Sequence, residues 1–229
     1  MIYLTGDIHG HHSITKLGSS NWPEGKKLTK DDYLIILGDF GLLWKTEIDA
    51  NEKYWTEWLS DKPWTTLVVP GNHENWDRIY ALTSIEKFGA PIKQYNDSIL
   101  FMERGEIYNI DNKLFFNMGG AFSIDRNDRI LNISWWEHEV PTIAEFEHGF
   151  KNLEEVGNQV DYILGHTTSN YAIDRMFTPH WKAEDLTANY FDVIEDKVIF
   201  KRFYFGHWHK DIDDQTHRAL YHNIVLLGE

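Results

Sequence analysis

The chain has 229 residues, no cysteine and a formal net charge of -14 at pH 7. The lack of cysteine excludes disulfides and thiolate zinc sites, and the acidity argues against a broad surface for nucleic acid or anionic membrane. The length suits one large α/β domain, and because no repeat or flexible linker divides the chain we predict a single domain over residues 1–229.

The first part of the chain alternates between predicted strands and helices. Three short apolar runs are typical of buried strands: Met1–Thr5, Tyr33–Leu37 and Thr65–Val69. A helix is predicted over about Glu47–Ser60, where Trp55, Trp58 and Leu59 recur at helical spacing. A second helix is predicted near Asn75–Leu82.

The pattern changes after about residue 98. Short runs separated by turn residues at Arg104-Gly105 and Asp111-Asn112 predict antiparallel hairpins: Ile99–Met102, Glu106–Ile110 and Lys113–Asn117. Thr142–Val156 predicts a helix. Three later runs predict strands: Asp161–Leu164, Lys197–Phe205 and Arg218–Leu227. Strands alternating with helices and then with hairpins favour an α/β fold of mixed sheets with the helices outside.

Five polar motifs follow one another along the chain, and each has a glycine beside residues that can bind a metal. They are Gly6-Asp7-Ile8-His9-Gly10, Gly38-Asp39, Gly71-Asn72-His73-Glu74, Gly165-His166 and Gly206-His207-Trp208-His209. Most follow an apolar run, which is typical of ligands at the carboxyl ends of buried strands. Carboxylate, amide and imidazole ligands without thiolates suit divalent transition metals, so the motifs predict a metal centre.

The spacing within the motifs suggests how the ligands meet. Asp7 and His9 stand two residues apart, as do His207 and His209, so in extended backbone each pair projects to one side. Asp39 has two carboxylate oxygens and can bridge two ions. Each pair taken alone could equally belong to a solvated loop, but five ordered motifs in one chain favour metal binding.

The ordered motifs resemble those of the calcineurin-like metallophosphoesterase superfamily, and the resemblance extends from Asp7 to His209. It implies two mixed β-sheets packed as a sandwich and flanked by helices, in four layers (αββα). It also implies two divalent ions, with manganese first and iron, zinc or nickel as alternatives. The residues expected to hold one ion are Asp7, His9, Asp39 and His209. Those expected to hold the other are Asp39, Asn72, His166 and His207, with Asp39 as the bridge.

The predicted reaction is hydrolysis of a phosphate ester or anhydride. A pair of ions can hold the attacking and leaving oxygens, and hydroxide formed from a metal-bound water would attack phosphorus directly. The resemblance assigns His73 as the general acid, with a structural brace as its alternative role. Either Asp39 or Glu74 would orient His73 and raise its pKa. Asn72 is expected to contact the substrate as well as a metal.

The sequence departs from the protein phosphatases after Asp39. The stretch 40–44 lacks the Asp-Arg-Gly that supplies their phosphate-binding arginine, which argues against phosphoprotein substrates. Arg126 is predicted to bind the substrate phosphate instead, because a guanidinium suits phosphate. Its alternative is a surface ion pair with Asp125 or Asp128.

Two further groups of residues have open interpretations. Trp135-Trp136 could wall a substrate pocket or fill the core. His11 and His12 follow the first motif closely, and we expect them in a solvated turn.

Within the phosphoesterases the sequence leaves the substrate open. A phosphomonoesterase and a phosphodiesterase for cyclic or dinucleotides are both allowed, whereas the acidity counts against a nuclease. A non-catalytic binding module on the same fold is the rival class, and the full ligand set counts against it. We expect a small phosphorylated substrate or nucleotide as partner, no membrane span, since no apolar run approaches ~20 residues, and a cytoplasmic location.

Overall fold

The structure is a computed structural model and describes residues 1–177 and 185–228. Its strands are β1 (Ile2–Thr5), β2 (Tyr33–Leu37), β3 (Thr65–Val69), β4 (Thr83–Lys87), β5 (Ala90–Asn96), β6 (Ile99–Met102), β7 (Ile107–Ile110), β8 (Lys113–Met118), β9 (Tyr162–Gly165), β10 (Arg202–Phe205), β11 (Ile212–Asp213), β12 (His217–Ala219) and β13 (Ile224–Leu226). Its α-helices are α1 (Ala50–Ser60), α2 (Trp76–Ala81), α3 (Ile143–Glu155), α4 (Asn170–Met176) and α5 (Leu186–Lys197).

The strands of the described residues form two mixed sheets. The first has the order β13-β1-β2-β3-β6-β5-β4 and the second the order β11-β12-β10-β9-β8-β7. Each has four parallel strands at its centre, with antiparallel strands added at both edges. The prediction of two mixed sheets with helices outside is therefore confirmed.

Side-chain alternation along β2 shows how the first sheet separates two hydrophobic layers. Ile35 and Leu37 pack between the sheets, in a cluster that includes Phe115 and Leu164 of the second sheet. Their neighbours Leu34 and Ile36 point the other way. Because successive strand residues face opposite sides, a wholly apolar strand must be covered on both faces.

Helices cover the outer faces of both sheets. Leu59 of α1 packs against the outer face of the first sheet. Leu153 of α3 and Phe191 of α5 pack against Phe116 and Phe203 on the outer face of the second. The result is the four-layer αββα order. Among the described residues, no helix combines the length and the apolar character needed to cross a membrane.

Two predicted strands are wrong over about half their length. The run Arg218–Leu227 is divided between β12 of the second sheet and β13 of the first. Lys197 is the last residue of α5, and only Arg202–Phe205 of the predicted run 197–205 is a strand. The buried residues Tyr190, Phe191 and Ile194 of α5 recur at helical spacing, and the Asp185 side chain accepts a hydrogen bond from the Thr187 amide at its start. These signals lie in the sequence upstream of the predicted strand.

The turns explain one correct, one missed and one wrongly predicted hairpin. The hairpin predicted at Arg104-Gly105 is wrong, because this turn leads from β6 of the first sheet to β7 of the second. Asp111 and Asn112 have φ of 51° and 57° and join β7 to β8 as predicted. Phe88 and Gly89 have φ of 60° and 83° and join β4 to β5, which the sequence did not predict. Both turns need positive φ at two residues, and Phe-Gly is a weaker turn signal than Asp-Asn. The single domain over residues 1–229 stays a prediction.

Candidate metal centre

The five motifs lie just beyond the carboxyl ends of five parallel strands. Three follow strands of the first sheet, β1, β2 and β3, and two follow strands of the second, β9 and β10. Backbone bonds tie these loops together: the amides of Ile8 and His9 donate to the Asp39 carbonyl oxygen at 3.1 and 2.7 Å, and the Gly206 amide donates to His166. The motifs therefore lie at the carboxyl ends of the strands, as the sequence predicts.

Four of the predicted ligands form a first cluster. Their ligand atoms all lie within 4.8 Å of one another: Asp7, His9, Asp39 and His209. The Nε2 atoms of His9 and His209 are 2.9 Å apart, and the His209 Nε2 is 3.0 Å from Asp7 Oδ2. His9 Nε2 lies 3.7 Å from Asp39 Oδ2. The resemblance assigns this same set to one ion.

The buried carboxylate of Asp7 tests whether a cation fits this cluster. Asp7 Oδ2 is buried and has no hydrogen-bond partner, although an imidazole nitrogen of His209 stands 3.0 Å away. The Asp7 oxygen and the His209 nitrogen both belong to the first cluster, whose ligand atoms lie within 4.8 Å of one another. A buried carboxylate oxygen without a partner is costly, and a divalent cation would satisfy it. These residues fit a metal ion.

The other predicted ligands, which we call the second cluster, lie near the other carboxylate oxygen of Asp39, and among the described residues only the first set has all its ligand atoms within 4.8 Å of one another. His166 Nε2 lies 3.1 Å from Asp39 Oδ1 and 2.9 Å from Asn72 Oδ1. The His207 ring packs edge-on against His166 with centroids 4.9 Å apart. One oxygen of Asp39 therefore faces each cluster, as a bridging carboxylate would.

Hydrogen bonds on the far side fix the orientation of the second cluster. His166 Nδ1 is 2.8 Å from the Leu37 carbonyl oxygen, so Nδ1 carries a proton and Nε2 is the nitrogen that would bind a metal after losing its own proton. The Asn72 amide donates from Nδ2 to Ser123 Oγ at 2.8 Å, and Ser123 donates to Glu139 at 2.7 Å. This chain turns Asn72 Oδ1 toward His166. Neither Ser123 nor Glu139 was predicted from the sequence.

Burial and neighbouring charges shift the pKa values of these ligands in the metal-free chain. Burial lowers the pKa of His166, but the charge of Asp39 outweighs it and raises the pKa to about 9. For His207, burial and the charge of His166 lower the pKa to about 4. Burial opposes ionisation of Asp39, yet the charge of His166 holds its pKa below the usual range. Asp39 is thus held in the carboxylate form that a metal requires, whereas a metal would displace a proton from His166 at neutral pH.

The backbone at the ligands is left-handed rather than extended. Positive φ occurs at His9 (48°), Asp39 (45°), His207 (66°) and His209 (48°). The expectation that extended backbone aligns Asp7 with His9, and His207 with His209, is therefore wrong. Tight left-handed turns bring these side chains together instead, and such strained backbone is found mainly at functional sites.

A glycine makes room for one of the imidazoles. Gly38 has a φ of 95°, and a Cβ at this position would overlap the ring of His166. The Gly-Asp motif is thus explained by steric fit as well as by backbone freedom.

The His73 side chain lies beside the first cluster. Its ring stacks on Trp44, with centroids 5.7 Å apart and planes at 18°, and meets the His9 ring edge-on at 5.4 Å. The guanidinium of Arg129 lies 3.2 Å from Nδ1 and 3.1 Å from Nε2 of His73. Its position allows His73 to face a group bound at the cluster.

The two carboxylates considered for His73 have different roles. Asp39 accepts a hydrogen bond from the His73 amide at 2.8 Å, and its charge raises the pKa of the His73 ring. Burial outweighs that effect, so the net pKa of His73 is lowered in the ligand-free chain. Glu74 is fully buried and accepts from the amides of Phe40 and Gly41 at 2.6 and 3.2 Å. Glu74 therefore secures the loop after Asp39.

The two arginines of the segment that follows β8 differ in position. Arg126 lies over the rings of Phe122 and Trp135, at 4.4 and 5.8 Å from their centroids. Arg129, not Arg126, pairs with Asp125 and contacts the His73 ring. The substrate role of Arg126 stays a prediction. Sequence reasoning missed Arg129. Its spacing of four residues from Asp125 signals their ion pair but not the contact with His73.

A cleft opens beside the first cluster. It has a volume of about 430 Å³, and its walls include His9, His73 and Trp44. His11 and His12 are exposed, as expected, but they also line this cleft. The two residues of the Trp135-Trp136 pair have different environments. Trp136 is 1% exposed and packs edge-on against Trp44, whereas Trp135 is partly exposed near Arg126.

Comparison with known families gives a match over most of the chain. The family described as calcineurin-like phosphoesterase matches residues 1–211. No curated protein matches the chain. The matched range contains all five motifs.

Proposed function

This chain belongs to the calcineurin-like phosphoesterase family and is in general terms a metal-dependent phosphoesterase, and we propose that it hydrolyses phosphate esters or anhydrides at a dinuclear centre. The proposal rests on the two oxygens of the Asp39 carboxylate, which face different clusters. Its Oδ2 faces His9 and its Oδ1 faces His166, so a single buried side chain serves both clusters.

Each cluster would hold one divalent ion. The proposed ligands of the first are Asp7, His9, Asp39 and His209, and those of the second are Asp39, Asn72, His166 and His207. When bound, two such ions lower the pKa of water toward ~7 and neutralise charge on the phosphoryl group. Manganese is our first choice because the carboxylate and amide oxygens suit it, and iron, zinc or nickel are the alternatives that the imidazoles allow.

The remaining groups of the site act on the substrate itself. His73 is proposed to protonate the leaving oxygen, a role supported by its place between the first cluster and the cleft. Asn72 faces the second cluster and would also contact the phosphoryl group. The cleft of about 430 Å³ beside His73 and Trp44 would receive the leaving group.

Turnover by the metal-loaded protein tests this proposal. We expect the manganese-loaded protein to hydrolyse p-nitrophenyl phosphate, bis-p-nitrophenyl phosphate or both. Asp39→Asn should abolish turnover, because it weakens both clusters at once. A protein that binds manganese but hydrolyses neither compound would instead be a binding module on this fold.

A further inference from the structure

Arg129 is held in a fixed orientation beside His73. Its Nε and Nη2 donate to the two oxygens of Asp125 at 2.8 and 2.7 Å, and its Nη1 donates to the Ser134 carbonyl oxygen at 3.0 Å. These bonds use three of the five N–H groups of the guanidinium. The remaining two, one on each Nη, face the His73 ring at 3.2 and 3.1 Å.

The His73 ring cannot satisfy both of these donors. A neutral imidazole has one acceptor nitrogen, and a protonated imidazole has none. At least one N–H of Arg129 therefore faces the ring without an acceptor, on a side chain that is only 17% exposed. A partly buried group of surplus donors is a place where oxygen atoms of an anion are stabilised.

The surplus donors lie close to the two clusters. The His73 amide bonds to Asp39 Oδ1 at 2.8 Å, and the His73 ring lies 5.4 Å from the ring of His9. The His73 ring thus contacts both Arg129 and His9, a residue of the first cluster. The guanidinium fork is already oriented by Asp125, and such a fork matches two oxygens of one phosphate.

We propose that Arg129 binds the phosphoryl group of a phosphate monoester, and that this chain is therefore a phosphomonoesterase rather than a phosphodiesterase. The inference rests on the proposed function. A monoester has about −1.5 to −2 charge and three free acceptor oxygens. A diester has one free acceptor oxygen fewer and carries less negative charge. If oxygens of the phosphoryl group face both metal clusters, only the monoester keeps a further oxygen for Arg129.

Binding of inorganic phosphate tests the role of Arg129 without any turnover. Calorimetric titration of the manganese-loaded protein with inorganic phosphate should give a Kd that rises about 10- to 100-fold in Arg129→Ala, because charge-assisted hydrogen bonds are lost. Arg129→Lys keeps the charge but not the two donor nitrogens of the guanidinium fork. Its Kd should therefore lie between those of wild type and Arg129→Ala. Bound manganese should stay at the wild-type level in both. Lys151→Ala, which removes an exposed cation from α3, should leave the Kd unchanged.

Hydrolysis of two esters tests the substrate class. Wild type should prefer p-nitrophenyl phosphate to bis-p-nitrophenyl phosphate in kcat/KM. Arg129→Ala should lower kcat/KM for the monoester about 10- to 100-fold and change the diester little, so the preference shrinks.

The outcomes separate this inference from the proposed function. An unchanged phosphate Kd in Arg129→Ala would overturn the role of Arg129, even if the protein hydrolyses esters. A wild type that prefers the diester would overturn the monoester assignment. Phosphate binding that depends on Arg129, with neither ester hydrolysed, would support Arg129 as a phosphate ligand. That result would reject both the phosphomonoesterase assignment and the proposed function.

Discussion

The Nδ1 of His166 is 2.8 Å from the carbonyl oxygen of Leu37 and joins the two sheets at the candidate metal centre. Leu37 ends β2 of the first sheet, and His166 follows β9 of the second. Because the backbone carbonyl can only accept, the His166 proton must lie on Nδ1, and Nε2 faces Asp39 and Asn72. The fold thus selects the tautomer that binds metal.

Loss of His166 should remove one of two metal ions. His166→Ala deletes a ligand of the second cluster but leaves Asp7, His9 and His209 of the first. We expect bound manganese to fall from about two ions per chain to about one, measured by elemental analysis after loading and desalting. His148→Ala, which removes an imidazole from the surface of α3, serves as the control. Retention of both ions by His166→Ala would contradict the assignment of the second cluster.

Metal binding should stabilise the fold measurably. Asp7 Oδ2 is buried without a hydrogen-bond partner. Manganese at about 100-fold its Kd contributes ~2.7 kcal/mol at one site, which for a chain of this size corresponds to a rise in Tm of roughly 5–10 °C. Thermal unfolding with manganese and with EDTA measures this difference. Asp7→Asn should reduce the rise, and an equal rise in that variant would exclude Asp7 as a ligand.

The general fold could be predicted because buried strands appear in the sequence as short apolar runs. β3 and β6 have the bounds that their apolar runs predict. The helix α5 was missed although its buried residues recur at helical spacing, and the hairpin at Phe88-Gly89 was missed because its turn residues are atypical. In both cases local sequence carries a weak signal that tertiary packing makes decisive.

Some residues of the candidate site could likewise be predicted from the sequence, and others could not. Asp7 and His209 lie about two hundred residues apart, yet their motifs identified them because each motif has its own glycine and polar pattern. Ser123, Glu139 and Arg129 have no such pattern. They act on Asn72 and His73 through contacts that only the folded chain creates. Spacing alone could not choose between Arg126 and Arg129.

Gly38 offers a stability test with a matched control. Gly38 and Gly89 both have positive φ, at 95° and 83°, but a Cβ at Gly38 overlaps the His166 ring while a Cβ at Gly89 meets nothing within 4 Å. Gly89→Ala should therefore cost only the backbone strain, about 1–2 kcal/mol. Gly38→Ala should cost about 2–5 kcal/mol, because overpacking is added to strain. Urea unfolding of the metal-free variants compares the two costs.

The Gly38 result also bears on the second cluster. A displaced His166 ring should lose its contact with Asn72, so Gly38→Ala should bind less manganese than Gly89→Ala. Equal free energies of unfolding and equal metal content in the two variants would show that His166 does not need the space.

Replacement of His73 should slow the reaction without removing the metal. The bond to Asp39 comes from the His73 backbone amide, so His73→Ala keeps it and should keep bound manganese near the wild-type level. If His73 protonates the leaving oxygen, kcat should fall about 10²–10⁴-fold for an alkyl phosphate, whose alkoxide needs the proton. The fall should be much smaller for p-nitrophenyl phosphate, because p-nitrophenolate leaves readily without protonation. Equal losses on the two substrates would mean that His73 orients the phosphoryl group and is not its acid.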